Sequence, residues 1–221
     1  MKKTLLIGLT LSSTLLLTAC GTKEATPTLP EETPTTTSDL LSGTTTTMHC
    51  PEAVQNYLNQ ATFEPKSDAP SVQANTTIVV DYIGRLADGT VFDTSIESVA
   101  KACGVYVAER NYNEGLSFVV GEGKMIQGFD NAVLGMQAGQ TKTVNIPPAE
   151  AYGEWSEEYV QTYPISDVPN PDDYQEGMKL SVGYGMTATI TKKTDKDITL
   201  DLNHELAGKE LIFDITVKTI N

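Results

Sequence analysis

The stretch from residue 116 to residue 153 constrains the fold more than any other part of the chain. Its sequence, LSFVVGEGKMIQGFDNAVLGMQAGQTKTVNIPPAEAYG, predicts a strand, a Gly-rich turn, one short helix, a second turn and a second strand. The second strand is predicted from the alternation of Val144 and Ile146 with polar residues, and the stretch ends in a loop that carries Tyr152. We therefore expect a small aromatic and aliphatic concavity here, and expect it to be the functional site. The helix is predicted from apolar residues at steps of three, four and three: Ile126, Phe129, Val133 and Met136.

Strands on both sides of this stretch predict an antiparallel sheet. Residues 78–86 alternate between an apolar face and a more polar one, and Asp88-Gly89 is a hairpin turn signal before a return strand that starts at residues 90–93. Residues 210–220 alternate in the same way. One short helix among such strands indicates an α+β fold.

Residues 156–205 have a pattern of their own. We predict a polar helix over residues 157–163, then strands around residues 178–182, 186–191 and 198–202, with a turn at residues 194–197 between the last two. This pattern indicates a second, smaller β-rich unit.

The N-terminus resembles an export signal. Lys2 and Lys3 precede an apolar run over residues 4–19, which as a helix spans about 24 Å and is shorter than the ~30 Å hydrocarbon core. The run therefore indicates a signal segment and not a membrane span. Leu17-Thr18-Ala19-Cys20 resembles a lipobox, in which Cys20 is lipidated; the alternative is an ordinary signal peptide with a coincidental cysteine.

Residues 21–48 contain eleven threonines and three prolines and almost no large apolar side chains. Such a composition predicts a disordered tether, with a mean reach of about 30 Å. A short helix is predicted over residues 51–61, with Pro51 at its first position.

The formal net charge of −14 argues against nucleic acid and against anionic lipid headgroups as partners.

Export changes the interpretation of the two remaining cysteines. With Cys20 lipidated, Cys50 and Cys103 are left as a pair in an oxidising compartment. A disulfide between them would attach the segment before the domain to the globular part. Two separate buried thiols are the alternative.

Several motifs in fixed order resemble the FKBP-type peptidyl-prolyl cis/trans isomerases. They are VDYIGRLADGTVFDTS, LSFVVGEGKMIQGFDNAVLGMQAGQTKTVNIPP, AYG and ELIFDITV. EYVQTYPISDV, EGMKLSV and DLNHELAG resemble the insert-in-flap domain of SlyD-type members, in which the flap over the site is a small chaperone domain. The resemblance implies an FKBP-like antiparallel sheet wrapped on one short helix, with a small β-rich insert-in-flap domain.

The resemblance also assigns roles to individual residues. Phe129, often Trp in the best-known small members, would be the floor of a proline pocket, and Met125 would supply its backbone and part of the rim. Asp93 would be a polar contact near the twisting carbonyl, and Tyr152 would offer its hydroxyl to the substrate backbone. The alternatives are that Tyr82 and Phe213 are only core and that Asp93 is a plain surface residue. His204 is expected to be structural, since a metal role would need partners that the sequence does not offer. The walls would be Tyr82, Phe92, Phe118, Ile126 and Phe213.

The expected function is a peptidyl-prolyl isomerase that acts on exported, unfolded polypeptides with X-Pro bonds, with chaperone activity from the insert. Because rotation breaks no bond, we expect no cofactor and no metal. We expect a monomer that is lipid-anchored to the cell membrane on its extracytoplasmic side. The alternatives are a tethered holdase with vestigial isomerase activity and a lipoprotein for adhesion or scaffolding.

The sequence is predicted to divide into four parts. Residues 1–19 are the signal peptide, and residues 20–70 contain the lipidated Cys20, the tether and the short helix. Residues 71–155 and 206–221 form the isomerase domain, and residues 156–205 form the insert.

Overall fold

The computed structural model describes residues 48–60, 63–183 and 186–221. The predicted signal segment, Cys20 and the tether up to residue 47 lie outside the described residues. The described part of the chain belongs to one compact unit, Thr47–Asn221. Its α-helices and β-strands are α1 Cys50–Gln60, β1 Thr77–Leu86, β2 Val91–Thr94, α2 Glu97–Cys103, β3 Leu116–Val119, α3 Gln127–Val133, β4 Thr141–Ile146, β5 Val160–Pro164, β6 Lys179–Gly183, β7 Met186–Lys193, β8 Asp197–Asp201 and β9 Leu211–Ile220.

The main sheet is antiparallel and five-stranded, in the order β2-β1-β9-β4, with β3 also paired to β1. The alternation predicted for β1 and β9 places the side chains of Ile78, Val80 and Ile215 in the core, where Phe129 of α3 packs against them. The predicted α+β fold, an antiparallel sheet around a short helix, is confirmed.

The opposite face of β1 is covered as well, which the sequence did not predict. The alternation of residues 78–86 puts Ile83 on the more polar face of the strand, yet it is fully buried in a second cluster with Ala53, Val91 and Val99. The reason is that α1 and α2 pack on this face of the sheet. The helix predicted over residues 51–61 is observed as α1, whereas α2 was not predicted.

A disulfide joins these two helices. Cys50 at the start of α1 is bonded to Cys103 at the end of α2, and the two residues are 53 positions apart in the chain. Tyr57, also on α1, donates a hydrogen bond to the Thr216 hydroxyl of β9 at 3.1 Å. α1 is therefore attached to α2 by a covalent bond, and to the sheet by a hydrogen bond and apolar packing.

Asp214 of β9 is the most buried of the charged residues that the structure describes, at 1% exposure. Its carboxylate accepts hydrogen bonds from Arg85 Nε at 3.0 Å and from the Thr143 hydroxyl at 2.6 Å. Both donors lie on the neighbouring strands, β1 and β4, so cross-strand partners offset the desolvation of this carboxylate.

The second sheet is four-stranded and antiparallel, in the order β5-β8-β7-β6. It has a small core of its own, formed by Ala188, Ile190, Ile198 and Leu200. The helix predicted over residues 157–163 is wrong: one 3₁₀ turn is followed at once by β5, because β-prone Val, Thr and Tyr side chains pair there with β8. Within the described ranges, no helix has the length and apolar character that crossing a bilayer requires.

Candidate functional site

An open cavity of about 700 Å³ lies on the concave side of the main sheet, near the start of α3. Apolar side chains form most of its wall, and its edge is polar. The structure brings eight of the nine predicted site residues to this cavity: Tyr82, Phe92, Asp93, Met125, Ile126, Phe129, Tyr152 and Phe213.

Phe118 is placed differently from the prediction. It does not line the cavity; its side chain is buried behind Phe129, with the two ring centroids 5.8 Å apart. The prediction that Phe118 forms a wall is therefore corrected to a supporting position. The physical reason is its position in β3: Phe118 pairs with Ile78 of β1, two residues beyond the pair of Leu116 with Val80, and Leu116 is the residue of β3 that lines the cavity.

Phe129 lies at the centre of the aromatic cluster. Its ring meets Tyr82 and Phe213 edge-to-face, with centroid distances of 5.9 Å and 5.2 Å, a geometry that aromatic quadrupoles favour. Because α3 begins directly after Ile126, its first turn aims Phe129 at the sheet. The position agrees with the predicted role as the floor of the cavity.

A glycine in the middle of β1 makes room for the aromatic wall. A Cβ atom on Gly84 would lie 2.7 Å from the Phe92 ring and 2.9 Å from the Phe213 ring. These two rings pack edge-to-face at 5.6 Å directly over the Gly84 backbone. The sequence contains the signal, since a glycine inside a strand marks close approach.

Asp93 is the centre of a polar network at the cavity edge. One carboxylate oxygen accepts the Tyr82 hydroxyl at 2.5 Å, and the other accepts Arg110 Nη1 at 2.5 Å and the backbone N–H of Thr94 at 2.9 Å. Burial and then this carboxylate raise the pKa of Tyr82 well above its usual value, so the phenol stays protonated. The hydrogen bond to Asp93 raises the pKa of Arg110. Arg110 comes from a loop without local pattern and was not predicted.

Tyr152 and His204 form the lip on the far side. Their rings are parallel within 2°, with centroids 3.8 Å apart. Burial, followed by the charges of Asp93 and Glu205, raises the pKa of Tyr152. His204 was expected to be structural, and its Nδ1 does accept the Leu206 N–H at 3.1 Å. The structure adds that its ring also lines the cavity.

Sequence reasoning missed further lining residues from three different parts of the chain. Glu205 and Leu206 could have been found through the NHELAG motif, which brings residues 204–206 to the cavity. The other missed residues have no local sequence signature. The full set of missed lining residues is Leu86, Leu116, Lys124, Glu205, Leu206 and Lys209.

The arrangement suits the binding of an apolar ring next to a polypeptide backbone. Phe129, Phe213 and Ile126 offer apolar contact, while Tyr152 offers a hydroxyl at the lip. Asp93 is already bonded to Tyr82 and Arg110, so it is a poor general base. Among the described residues, no group of three or more His, Cys, Asp and Glu side chains is placed to hold a metal ion.

Comparison with known proteins gives one family throughout. The family model described as FKBP-type peptidyl-prolyl cis-trans isomerase matches residues 69–218. The short-type peptidyl-prolyl cis-trans isomerase of Methanocaldococcus jannaschii is 49% identical over 144 residues, which cover 65% of this chain and 90% of that protein. The FKBP-type peptidyl-prolyl cis-trans isomerase SlyD of Pasteurella multocida is 33% identical over 117 residues, or 52% of this chain and 59% of that protein.

Proposed function

Because this chain belongs to the family of FKBP-type peptidyl-prolyl cis-trans isomerases, we propose that it is a foldase whose second sheet binds the unfolded chains on which the isomerase cavity acts. The isomerase activity follows from the family. The observation that carries the rest is a second cavity, of about 440 Å³, between β6, β7 and the segment after β8. Both cavities are lined by His204 and Glu205. One polypeptide can therefore reach both.

The catalytic problem is rotation about a peptide bond whose barrier is about 18–20 kcal/mol. The planar amide is stabilised by resonance that places negative charge on the carbonyl oxygen, and water stabilises that charge. In this proposal Phe129, Phe213 and Ile126 grip the proline ring and exclude water, which weakens the planar ground state relative to the twisted one. Tyr152 holds the substrate backbone by its hydroxyl. Asp93, bonded to Tyr82 and Arg110, forms the polar edge near the carbonyl.

The surface of the second sheet supports a client-binding role. Met178 and Met186 are 42% and 50% exposed, and Tyr159 is 57% exposed. Met186 lines the second cavity. Flexible thioether side chains adapt to apolar groups of different shapes, which suits a surface that accepts many sequences.

Export and lipid anchoring are supported by the sequence before the described residues. Lys2, Lys3 and the apolar run form the signal, and Cys20 ends a lipobox-like sequence. The Cys50–Cys103 disulfide is consistent with an oxidising compartment. Labelling cells with radioactive palmitate tests the anchor: the wild-type protein should carry label and the Cys20→Ser variant should not. Label that persists on the variant would contradict the assignment.

The client-binding role is tested by shortening the insert while keeping every residue that lines the isomerase cavity. Val160 and Asp201 are cross-strand partners, so residues 161–200 can be replaced by a two-residue Asn-Gly turn. This variant retains the bond that Trp155 donates to Asp201 and the bond that the N–H of Ser156 donates to Asn203.

We expect the variant to keep its turnover of an X-Pro tetrapeptide and to lose much of its acceleration of proline-limited refolding of a protein. The reason is that a bound client has a high effective concentration at the cavity. Phe129→Ala is the comparison variant, since it should lose both tetrapeptide turnover and the acceleration of refolding. Equal loss on both substrates in the shortened variant would contradict a separate client-binding role.

A further inference from the structure

The side chain of Tyr152 is held in place by little besides one neighbouring ring. It lies in a loop before Gly153, whose φ of +83° is in the left-handed region, and 41% of the residue is exposed. Within residues 48–60, 63–183 and 186–221, its hydroxyl makes no hydrogen bond. The His204 ring stacks on the Tyr152 ring, with the two centroids 3.8 Å apart and the two planes nearly parallel. This stacking is therefore the contact that sets the direction of the Tyr152 ring.

His204 is itself firmly fixed. Its Nδ1 accepts the N–H of Leu206 at 3.1 Å, and its backbone carbonyl accepts the N–H of Ala207 at 2.8 Å. Because a donor faces Nδ1, the neutral ring carries its proton on Nε2. The imidazole is thus locked in one orientation by the turn that follows it.

The backbone that carries His204 is tied to the backbone that carries Tyr152. Asn203 accepts the N–H of Ser156 at 3.0 Å and donates to the Ser156 carbonyl at 2.9 Å. The N–H of Gly208 donates to the carbonyl of Gly153 at 2.8 Å. These bonds flank the stacked rings, so residues 153–156 and 203–208 form one paired segment at the base of the second sheet.

We infer that His204 is a positioning residue for isomerisation, whose ring holds Tyr152 at the lip of the cavity with its hydroxyl directed at the substrate backbone. The inference rests on the proposed role of Tyr152. It gives the segment that returns from the second sheet, residues 203–208, a part in catalysis separate from client binding. This segment is kept in the variant that lacks residues 161–200.

Two substitutions separate the contribution of the His204 ring from the contribution of its hydrogen bond with Leu206. His204→Asn keeps an acceptor for the Leu206 N–H and removes the aromatic face. His204→Phe keeps the face and removes the acceptor. Each is made in the full chain, alone and combined with Tyr152→Ala, and tested by tetrapeptide turnover and thermal unfolding.

We expect His204→Asn to lower kcat/KM about 2- to 10-fold, the range that a stacked aromatic pair accounts for. His204→Phe should lose less activity than His204→Asn, although it should lower Tm more. In the Tyr152→Ala background, His204→Asn should have no further effect. In proton NMR spectra, the ring-current shift of the Tyr152 protons should disappear in His204→Asn and persist in His204→Phe.

The opposite ranking would overturn the inference. If His204 only stabilises its turn, His204→Phe is the more damaged variant in both assays and the effects of His204→Asn and Tyr152→Ala add. If Tyr152→Ala is as active as the wild type, the role of Tyr152 fails and the inference fails with it. The client-binding proposal does not depend on either result, since it is tested separately by the refolding assay on the shortened variant.

Discussion

The hydroxyl of Tyr82 donates a hydrogen bond of 2.5 Å to Asp93, a residue eleven positions further along the chain on the neighbouring strand. The bond joins the aromatic wall of the cavity to its polar edge. Arg110 occupies the other carboxylate oxygen. Asp93 is thus an oriented carboxylate at the cavity edge, and its charge is paired with that of Arg110.

Removal of this hydroxyl tests the network. We expect Tyr82→Phe to lower kcat/KM about fivefold, equivalent to about 1 kcal/mol for a hydrogen bond to a partly exposed charged group. Tetrapeptide turnover is the measurement. Tyr163→Phe is the control, because its hydroxyl bonds Gln161 in the second sheet, and it should turn over the tetrapeptide at the wild-type rate. Equal rates in both variants would show that the network is not used.

Alkaline pH should destabilise the fold through buried tyrosines. Burial raises the pKa of Tyr82 and of Tyr57 above their ordinary value. The folded state therefore binds these protons more tightly, and its stability is complete below about pH 10 and falls as the pH rises further. Urea unfolding at about pH 9 and about pH 11 should show this fall. The loss of stability should be smaller in Tyr82→Phe than in the wild type. An identical loss in the two proteins would contradict the role given to Tyr82.

Gly84→Ala should damage the cavity through the rings above it. The new methyl group would displace Phe92 and Phe213, so we expect a loss of about 1–3 kcal/mol of stability together with lower turnover. Gly177→Ala is the control: it strains a backbone at φ +84° but meets nothing within 4 Å. It should lose stability and keep its turnover. If Gly84→Ala also keeps its turnover, the position of these rings does not matter for catalysis.

The disulfide should stabilise the domain without taking part in catalysis. Closing a loop between residues 53 positions apart is worth about 4 kcal/mol by the chain-entropy estimate. We expect the double variant Cys50→Ala, Cys103→Ala to unfold at lower urea, with faster hydrogen exchange in α1. Tetrapeptide turnover should not change, because neither cysteine lines the cavity. Unchanged exchange in α1 would mean that packing alone holds this helix.

The sequence predicted what depends on local pattern. Alternation in β1 and β9 and the apolar spacing around Phe129 were enough for the main sheet and α3, and the family resemblance supplied the aromatic set. Ile83 shows the limit of such reasoning, since its burial depends on helices that pack on the sheet from elsewhere in the chain.

The missed parts of the site have the same physical cause. Arg110 and His204 contact partners that are distant in sequence: Arg110 contacts Asp93 across a loop, and His204 contacts Tyr152 across the whole second sheet. No periodicity records such a pairing. Asp214 is a similar case: the alternation places it on the more polar face of its strand, and Arg85 and Thr143 converge on it so that its carboxylate can be buried.

The position of β9 has a consequence for the order of events during synthesis. It is the last strand of the main sheet in the chain, yet it lies between β1 and β4 and pairs with both. Until residues 211–220 have left the ribosome, β1 and β4 have no common partner and Phe213 is missing from the cavity wall. The cavity is therefore incomplete until the last strand of the main sheet has been made, and its long-range pairing favours slow, late closure.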